Sequence, residues 1–186
     1  MRRILARLDV VVERILAWDE EALERVSTSP VFRALDLPLL VATYVGYGYL
    51  WAALALALIV FGTPLDHKNV LVGVGITILV VLVCQGVKAL TARPRPSFVR
   101  RGFHHQFLTT SSFPSNHTAM AFAMAYLVAR FYPAWYNVLL LYLLAFLIGL
   151  SRVYLREHYP LDVLGGAALG TYLAHGLLPW LAQCVG

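Results

Sequence analysis

Three short stretches carry residue types that can handle a small, strongly negative group. The first places Lys88 seven positions before Arg95, within Lys88-Ala-Leu-Thr-Ala-Arg93-Pro94-Arg95-Pro96. The second is Pro114-Ser115-Asn116-His117, and the third runs from Ser151-Arg152 through His158 and Tyr159-Pro160-Leu161 to Asp162. Lys88, Arg95 and Arg152 are three cations that separate segments can gather around one anion. Arginine's forked donors match the oxygens of a phosphoryl group. Ser115 and Asn116 stand where a helix would begin, and its free backbone N–H groups favour negative charge. His158 precedes Asp162 by four residues, so the carboxylate can take one ring N–H and turn the other nitrogen towards a substrate. That arrangement makes His158 a candidate nucleophile at phosphorus. His117, on a different segment, is a candidate acid for the leaving alkoxide and later a base for water.

The segments that must position these groups are unusually apolar. Of 186 residues, 60% are hydrophobic and 13% charged, and the mean hydropathy is +0.70. A soluble domain is about half apolar and about a quarter charged. A soluble globule and a disordered chain are both excluded, and the composition predicts one integral membrane domain over 1–186. Five crossings are expected: Leu37–Leu65, Asn69–Val87, Asn116–Tyr132, Phe131–Ser151 and Val163–Leu181. Each approaches the roughly 20 residues that span a bilayer. Residues 1–30 are read as an interfacial amphipathic helix, because Ile4, Leu5, Leu8, Val11, Val12, Ile15 and Leu16 recur at helical spacing among charges. The fold class is therefore all-α, a membrane bundle over 37–186 with a surface helix before it. With five crossings, the three polar stretches meet on one face of the membrane. Ionisable groups at that depth are costly unless they pair or function.

Other residues are given plainer readings. The net charge of +5 suits anionic headgroups, and no nucleic-acid partner is expected. Cys84 and Cys184 are read as free thiols. Phe98, Arg100, Arg101, Phe103, His104, His105 and Phe107 are read as an interfacial loop, Arg93 as a headgroup or loop contact, and His175 as a packing histidine. Glu157 either tunes the site or faces water. Gly166 and Gly170 form a small-xxx-small contact between helices of the same chain. No pattern specifies an oligomer, and no paired carboxylates call for a metal or another cofactor. The interrupted N-terminal apolar run is not read as a signal peptide.

The three stretches resemble the signature of the type 2 phosphatidic acid phosphatase (lipid phosphate phosphatase) superfamily: Lys-x6-Arg-Pro, Pro-Ser-x-His and Ser-Arg-x5-His-x3-Asp. Every motif position is filled, in order. The resemblance implies a metal-independent phosphatase in a helical membrane bundle. His158 would form a phosphohistidine, His117 would protonate the leaving group, and Asp162 would support His158. Lys88, Arg95, Ser115 and Arg152, with groups near Asn116, would hold the phosphate. The implied partner is a membrane lipid phosphate in a bilayer. Undecaprenyl diphosphate, phosphatidylglycerol phosphate and phosphatidic acid are the expected substrates. Alternatives are a vanadate-dependent haloperoxidase-like enzyme, a sugar-phosphate phosphatase and a non-catalytic lipid-binding protein. The resemblance puts the site on the periplasmic or exterior face of an inner-membrane protein. The five-span count, in contrast, leaves only Lys68 and Arg130 of the 15 Lys and Arg on the far face, which biases the charge-rich face towards the cytoplasm. The exterior is the expectation carried forward.

Overall fold

Thr63, Pro64 and Asp66 decide where the chain first turns. Thr63 accepts from the Asp66 backbone while Asp66 accepts from that of Thr63, a reciprocal cap with proline in the first helical turn. The first apolar run therefore ends at Phe61, short of the expected Leu65, and the second helix begins at Pro64 instead of Asn69. In this computed structural model, residues 2–96 and 111–185 are described, with side chains from residue 9 onward. The expected loop of Phe98 to Phe107 and the Ile4, Leu5 and Leu8 side chains lie outside the described residues.

The described residues contain no strand, and every regular element among them is a helix. They form α1 (Arg2–Thr28), α2 (Pro30–Ala34), α3 (Asp36–Tyr44), a π turn (Val45–Tyr49), α4 (Leu50–Phe61), α5 (Pro64–Thr91), α6 (Asn116–Phe131), α7 (Trp135–Tyr154) and α8 (Pro160–Val185). The π turn kinks one continuous passage, Asp36–Phe61, at Gly48, whose φ of 94° suits a residue without a side chain. The last two helices run beyond the expected Ser151 and Val163–Leu181, because the polar motif residues are themselves helical.

Four passages are long and apolar enough to cross a bilayer: Asp36–Phe61, Pro64–Thr91, Trp135–Tyr154 and Pro160–Val185. The fifth, α6, has only 16 residues, or about 24 Å of helix. It nevertheless runs the depth of the bundle. At one end Thr91 at the close of α5 donates to the Phe113 carbonyl (3.1 Å), and at the other the Tyr132 hydroxyl donates to Asp66 at the start of α5. The short helix is sheathed by α5, α7 and α8. Leu56, Phe61, Leu71, Leu82, Leu140 and Phe146 face outward, as lipid-facing residues do.

Close approach, not bulk, holds α6 in place. Its buried side chains are Thr118, Ala119, Ala121, Ala123, Ala125 and Leu127. Opposite them on α8, a Cβ at Gly166 would stand 2.6 Å from the Ser115 carbonyl oxygen, and one at Gly170 only 2.0 Å from that of Ala119. The glycine pair thus makes the expected contact between helices of one chain. At the motif end, α1 lies against the α7–α8 turn through Asp19, Leu23 and Ser27, which are buried. Val11, Val12, Ile15, Leu16 and Trp18 remain exposed.

Gly170→Ala should therefore destabilise the protein by about 1–3 kcal/mol, the usual cost of an overfilled contact. Gly73→Ala, with nothing within 4 Å of the new methyl, should be neutral or stabilising through helix propensity. Thermal unfolding in detergent compares the two. Equal midpoints would show that the α6–α8 approach carries no such constraint.

Candidate active site

The first motif sits where α5 gives out. Lys88 is in its last turn, and Ala92 closes the helix in the left-handed region (φ 46°), donating to the Lys88 carbonyl. The chain then extends through Arg93 to Pro96, and Ser112 clips it: the Ser112 N–H donates to the Arg93 carbonyl (2.8 Å) and its hydroxyl to that of Pro94 (3.1 Å). The buried Lys88 ammonium donates to the carbonyls of Ser111 (2.9 Å) and Ser112 (3.2 Å). Two of its three N–H bonds are committed there, which leaves one for an anion.

The second motif opens α6. Ser115 is its N-cap, with its hydroxyl accepting from the Thr118 hydroxyl (3.0 Å). The Ser115 N–H donates to the Asp162 carbonyl (2.9 Å), tying the start of α6 to that of α8. Asn116 follows in the first turn, with its side-chain oxygen buried and without a hydrogen-bond partner among the described residues. His117 packs edge-on to Tyr47, with ring centroids 5.1 Å apart. The Arg152 guanidinium lies 5.8 Å from the centroid of the same Tyr47 ring.

The third motif is made by a Schellman closure of α7. Arg156 takes the left-handed position (φ 61°) and its N–H donates to the Val153 carbonyl, while the Glu157 N–H reaches the Arg152 carbonyl. This tight reversal brings His158 back under Arg152, to whose carbonyl its own N–H donates (3.2 Å). Arg152, Glu157 and His158 are all at least 98% buried, and the Arg152 Nη2 donates to the Glu157 carboxylate. Arg152 Nε and Nη1 have no hydrogen-bond partner among the described residues.

Asp162 organises the far side of His158. One oxygen, Oδ2, accepts from the Tyr159 N–H (2.9 Å) and faces His158 Nδ1 at 3.5 Å, an ion-pair distance longer than a formed hydrogen bond. The other oxygen accepts from Arg93 (2.9 Å). Arg95 donates to the Glu157 carbonyl (3.1 Å), and its Nη1 stands 3.5 Å from His158 Nε2. Burial pushes the His158 pKa down to about 3, against the upward pull of Asp162. The ring is thus neutral at physiological pH, the form that carries a lone pair. With Nδ1 turned to Asp162, that lone pair belongs to Nε2, beside Arg95.

The structure therefore draws Lys88, Arg95, Ser115, Arg152, His158 and Asp162 into one linked cluster, and His117 joins it through Tyr47. Arg93 departs from expectation. It reaches inward instead of towards headgroups, because both Asp162 and the buried Asp19 (2.6 Å) bind its guanidinium. Glu157 also faces inward, as the partner of Arg152. Arg93 had a readable signal: in an extended Arg-Pro-Arg-Pro segment, side chains two apart share a face. So did Asp19, an acid at a stripe position four residues from Ile15 and from Leu23. Tyr47 had none, since the π turn that aims it leaves no mark in the periodicity.

Comparison with known proteins gives the chain a family. Residues 69–185 match the model of the PAP2 superfamily. Undecaprenyl-diphosphatase BcrC of Bacillus subtilis is 36% identical over 120 residues, covering 62% of this chain and 59% of that protein. The bacitracin transport permease protein BcrC of Bacillus licheniformis is 42% identical over 66 residues, 34% of this chain and 30% of that one. The chain thus spans less than two thirds of the length of these relatives. Among solved structures, Aquifex aeolicus LpxE superposes with a TM-score of 0.70 at 28% identity, over 86% of this chain and 93% of that one. With the family model covering more than half of its length and all three motifs inside the match, this chain belongs to the PAP2 superfamily.

Proposed function

We propose that the protein is a multi-pass membrane phosphatase that hydrolyses a lipid phosphomonoester or diphosphate, without a metal, through a phosphohistidine on His158. One observation carries this reading: a buried His158 faces Asp162 through Nδ1 (3.5 Å) and sets Nε2 3.5 Å from Arg95 Nη1. In the first step the bond from Nε2 to the terminal phosphorus forms and the bond from that phosphorus to the leaving oxygen breaks, the ester oxygen of a phosphomonoester or the bridging oxygen of a diphosphate. His117, protonated, gives its proton to that oxygen, while Asp162 balances the positive charge on the phosphorylated imidazole. In the second step neutral His117 takes a proton from water, the water oxygen bonds to phosphorus, and Nε2 is released with inorganic phosphate. Lys88, Arg95 and Arg152, with Ser115, Asn116 and the N–H groups at the start of α6, hold the phosphoryl oxygens. These cations meet the charge of the transition state that a metal would otherwise meet.

An apolar cavity of about 240 Å³ supports a lipid leaving group. It lies between α4, α5 and α6, beginning at Gly48 and Met120 and continuing past Trp51 and Met124. Those first residues adjoin Tyr47 and follow His117 by about one helical turn, so that end of the cavity is the one nearest the leaving-group acid. Undecaprenyl diphosphate is the first substrate to test, since a B. subtilis relative bears the name undecaprenyl-diphosphatase. Phosphatidylglycerol phosphate and phosphatidic acid follow. In this reading α1 lies in the interface with Val11, Val12, Ile15, Leu16 and Trp18 in lipid, residues 37–186 form the catalytic bundle, and the site faces the exterior of the inner membrane.

The purified protein in detergent should release phosphate from undecaprenyl diphosphate with EDTA present, and vanadate should inhibit it; a requirement for added divalent metal would overturn the mechanism. His158→Ala should fold and show no turnover, and phosphate release at the wild-type rate would remove its role. Asp162→Asn should lower kcat by at least about 100-fold, given the losses of up to roughly 10⁴ seen when an orienting aspartate is neutralised, while substrate binding persists. For sidedness, cysteines replacing Arg33, at the site end, and Lys68, at the opposite end, can be probed in whole cells. Labelling at position 33 alone is expected, and labelling at position 68 alone would reverse the orientation.

A further inference from the structure

Asp162 is not held by His158 and Tyr159 alone. Its Oδ1 accepts from Arg93 Nη1 (2.9 Å), and the other arm of that guanidinium, Nη2, donates to Asp19 Oδ2 (2.6 Å). Asp19 is fully buried, and its second oxygen accepts from the Leu161 N–H (2.9 Å), one residue before Asp162. The guanidinium also stacks 4.3 Å from the Tyr159 ring centroid. An acid on the N-terminal surface helix, outside the stretch matched to the family, therefore grips both the first turn of α8 and the arginine that touches the catalytic carboxylate.

We propose that Asp19 is a positioning residue for the His158–Asp162 pair, and that it acts by keeping Arg93 on one oxygen of Asp162. This rests on the reading of His158 as nucleophile. A guanidinium prefers to engage a carboxylate with both arms. With Nη2 committed to Asp19, Arg93 can offer Asp162 only Nη1, and Oδ2 stays with the Tyr159 N–H and His158 Nδ1. Without the charge at position 19, Arg93 is free to fork across both oxygens. Oδ2 is then drawn away from the imidazole, and the ring loses the group that fixes its tautomer. The N-terminal helix is in this sense part of the active site, although none of its residues touches the reacting atoms.

Suppression tests this. Wild type, Asp19→Asn, Arg93→Gln and the double variant are purified in the same detergent and assayed with undecaprenyl diphosphate. Asp19→Asn should lower kcat on the order of tenfold, the scale of groups that orient a catalytic ligand from behind, with KM within about twofold of wild type. Adding Arg93→Gln should recover most of the loss, since the competing fork is gone. A kcat for Asp19→Asn within twofold of wild type overturns the proposal, and so does a double variant as slow as Asp19→Asn or slower. Where Asp19→Asn fails to fold, Asp19→Ser carries the test, because a hydroxyl brings no charge to hold Nη2 away from Asp162. It should lower kcat at unchanged KM, and a wild-type kcat would overturn the proposal. Wild-type protein that releases no phosphate overturns the underlying phosphatase reading instead.

Discussion

Charge balance inside a membrane-embedded bundle is the constraint on which the rest of this structure depends. Lys88 and Arg152 are almost wholly buried, in a chain whose outer surface is hydrocarbon-like. Removing such groups from water costs several kcal/mol each unless partners return the interaction. The bundle returns it with three buried acids, Asp19, Glu157 and Asp162, and with carbonyls freed at helix ends. The compensation is incomplete at Arg152. Two nitrogens of Arg152 keep their donors unspent, and a phosphoryl oxygen is the kind of acceptor that would complete them. Stability and function are thus the same problem here, because the fold tolerates a cationic pocket only by fixing its geometry tightly.

That fixing is done by helix termini. The close of α5, the reversal after α7, the N-cap of α6 and the first turn of α8 all lie at one end of the bundle. Each motif residue sits in or just beyond such an end. The Ser115 N–H to Asp162 carbonyl bond joins two of these ends directly, and the glycine seam between α6 and α8 fixes the helices behind it. The motif residues therefore come from different passages yet cannot shift independently.

Much of this was legible in the sequence. The apolar runs gave the passages, because hydropathy is decided residue by residue, and the spacing of Lys88, Arg95, Ser115, His117, Arg152, His158 and Asp162 gave the motifs. The helix ends were less legible: Thr63-Pro64-Leu65-Asp66 was absorbed into an apolar run, although its cap is a local signal. Arg93 looked like a headgroup or loop contact, Glu157 stayed open between the site and water, and Asp19 drew no reading, since each has its partner far away in the chain or across a turn. Ion pairing between distant segments leaves no periodicity. Tyr47 depends on a kink that only packing around Gly48 reveals.

The shortness of α6 has a consequence for depth. Its roughly 24 Å falls short of the ~30 Å thickness of a hydrocarbon layer. Its first turn is level with the close of α5 and with the start of α8, so all three elements reach the polar end of the bundle together. A span shorter than the layer is accommodated by local thinning of the bilayer or by flanking side chains that reach outward. The short helix therefore draws the charged end of the bundle and the surrounding lipid towards one another.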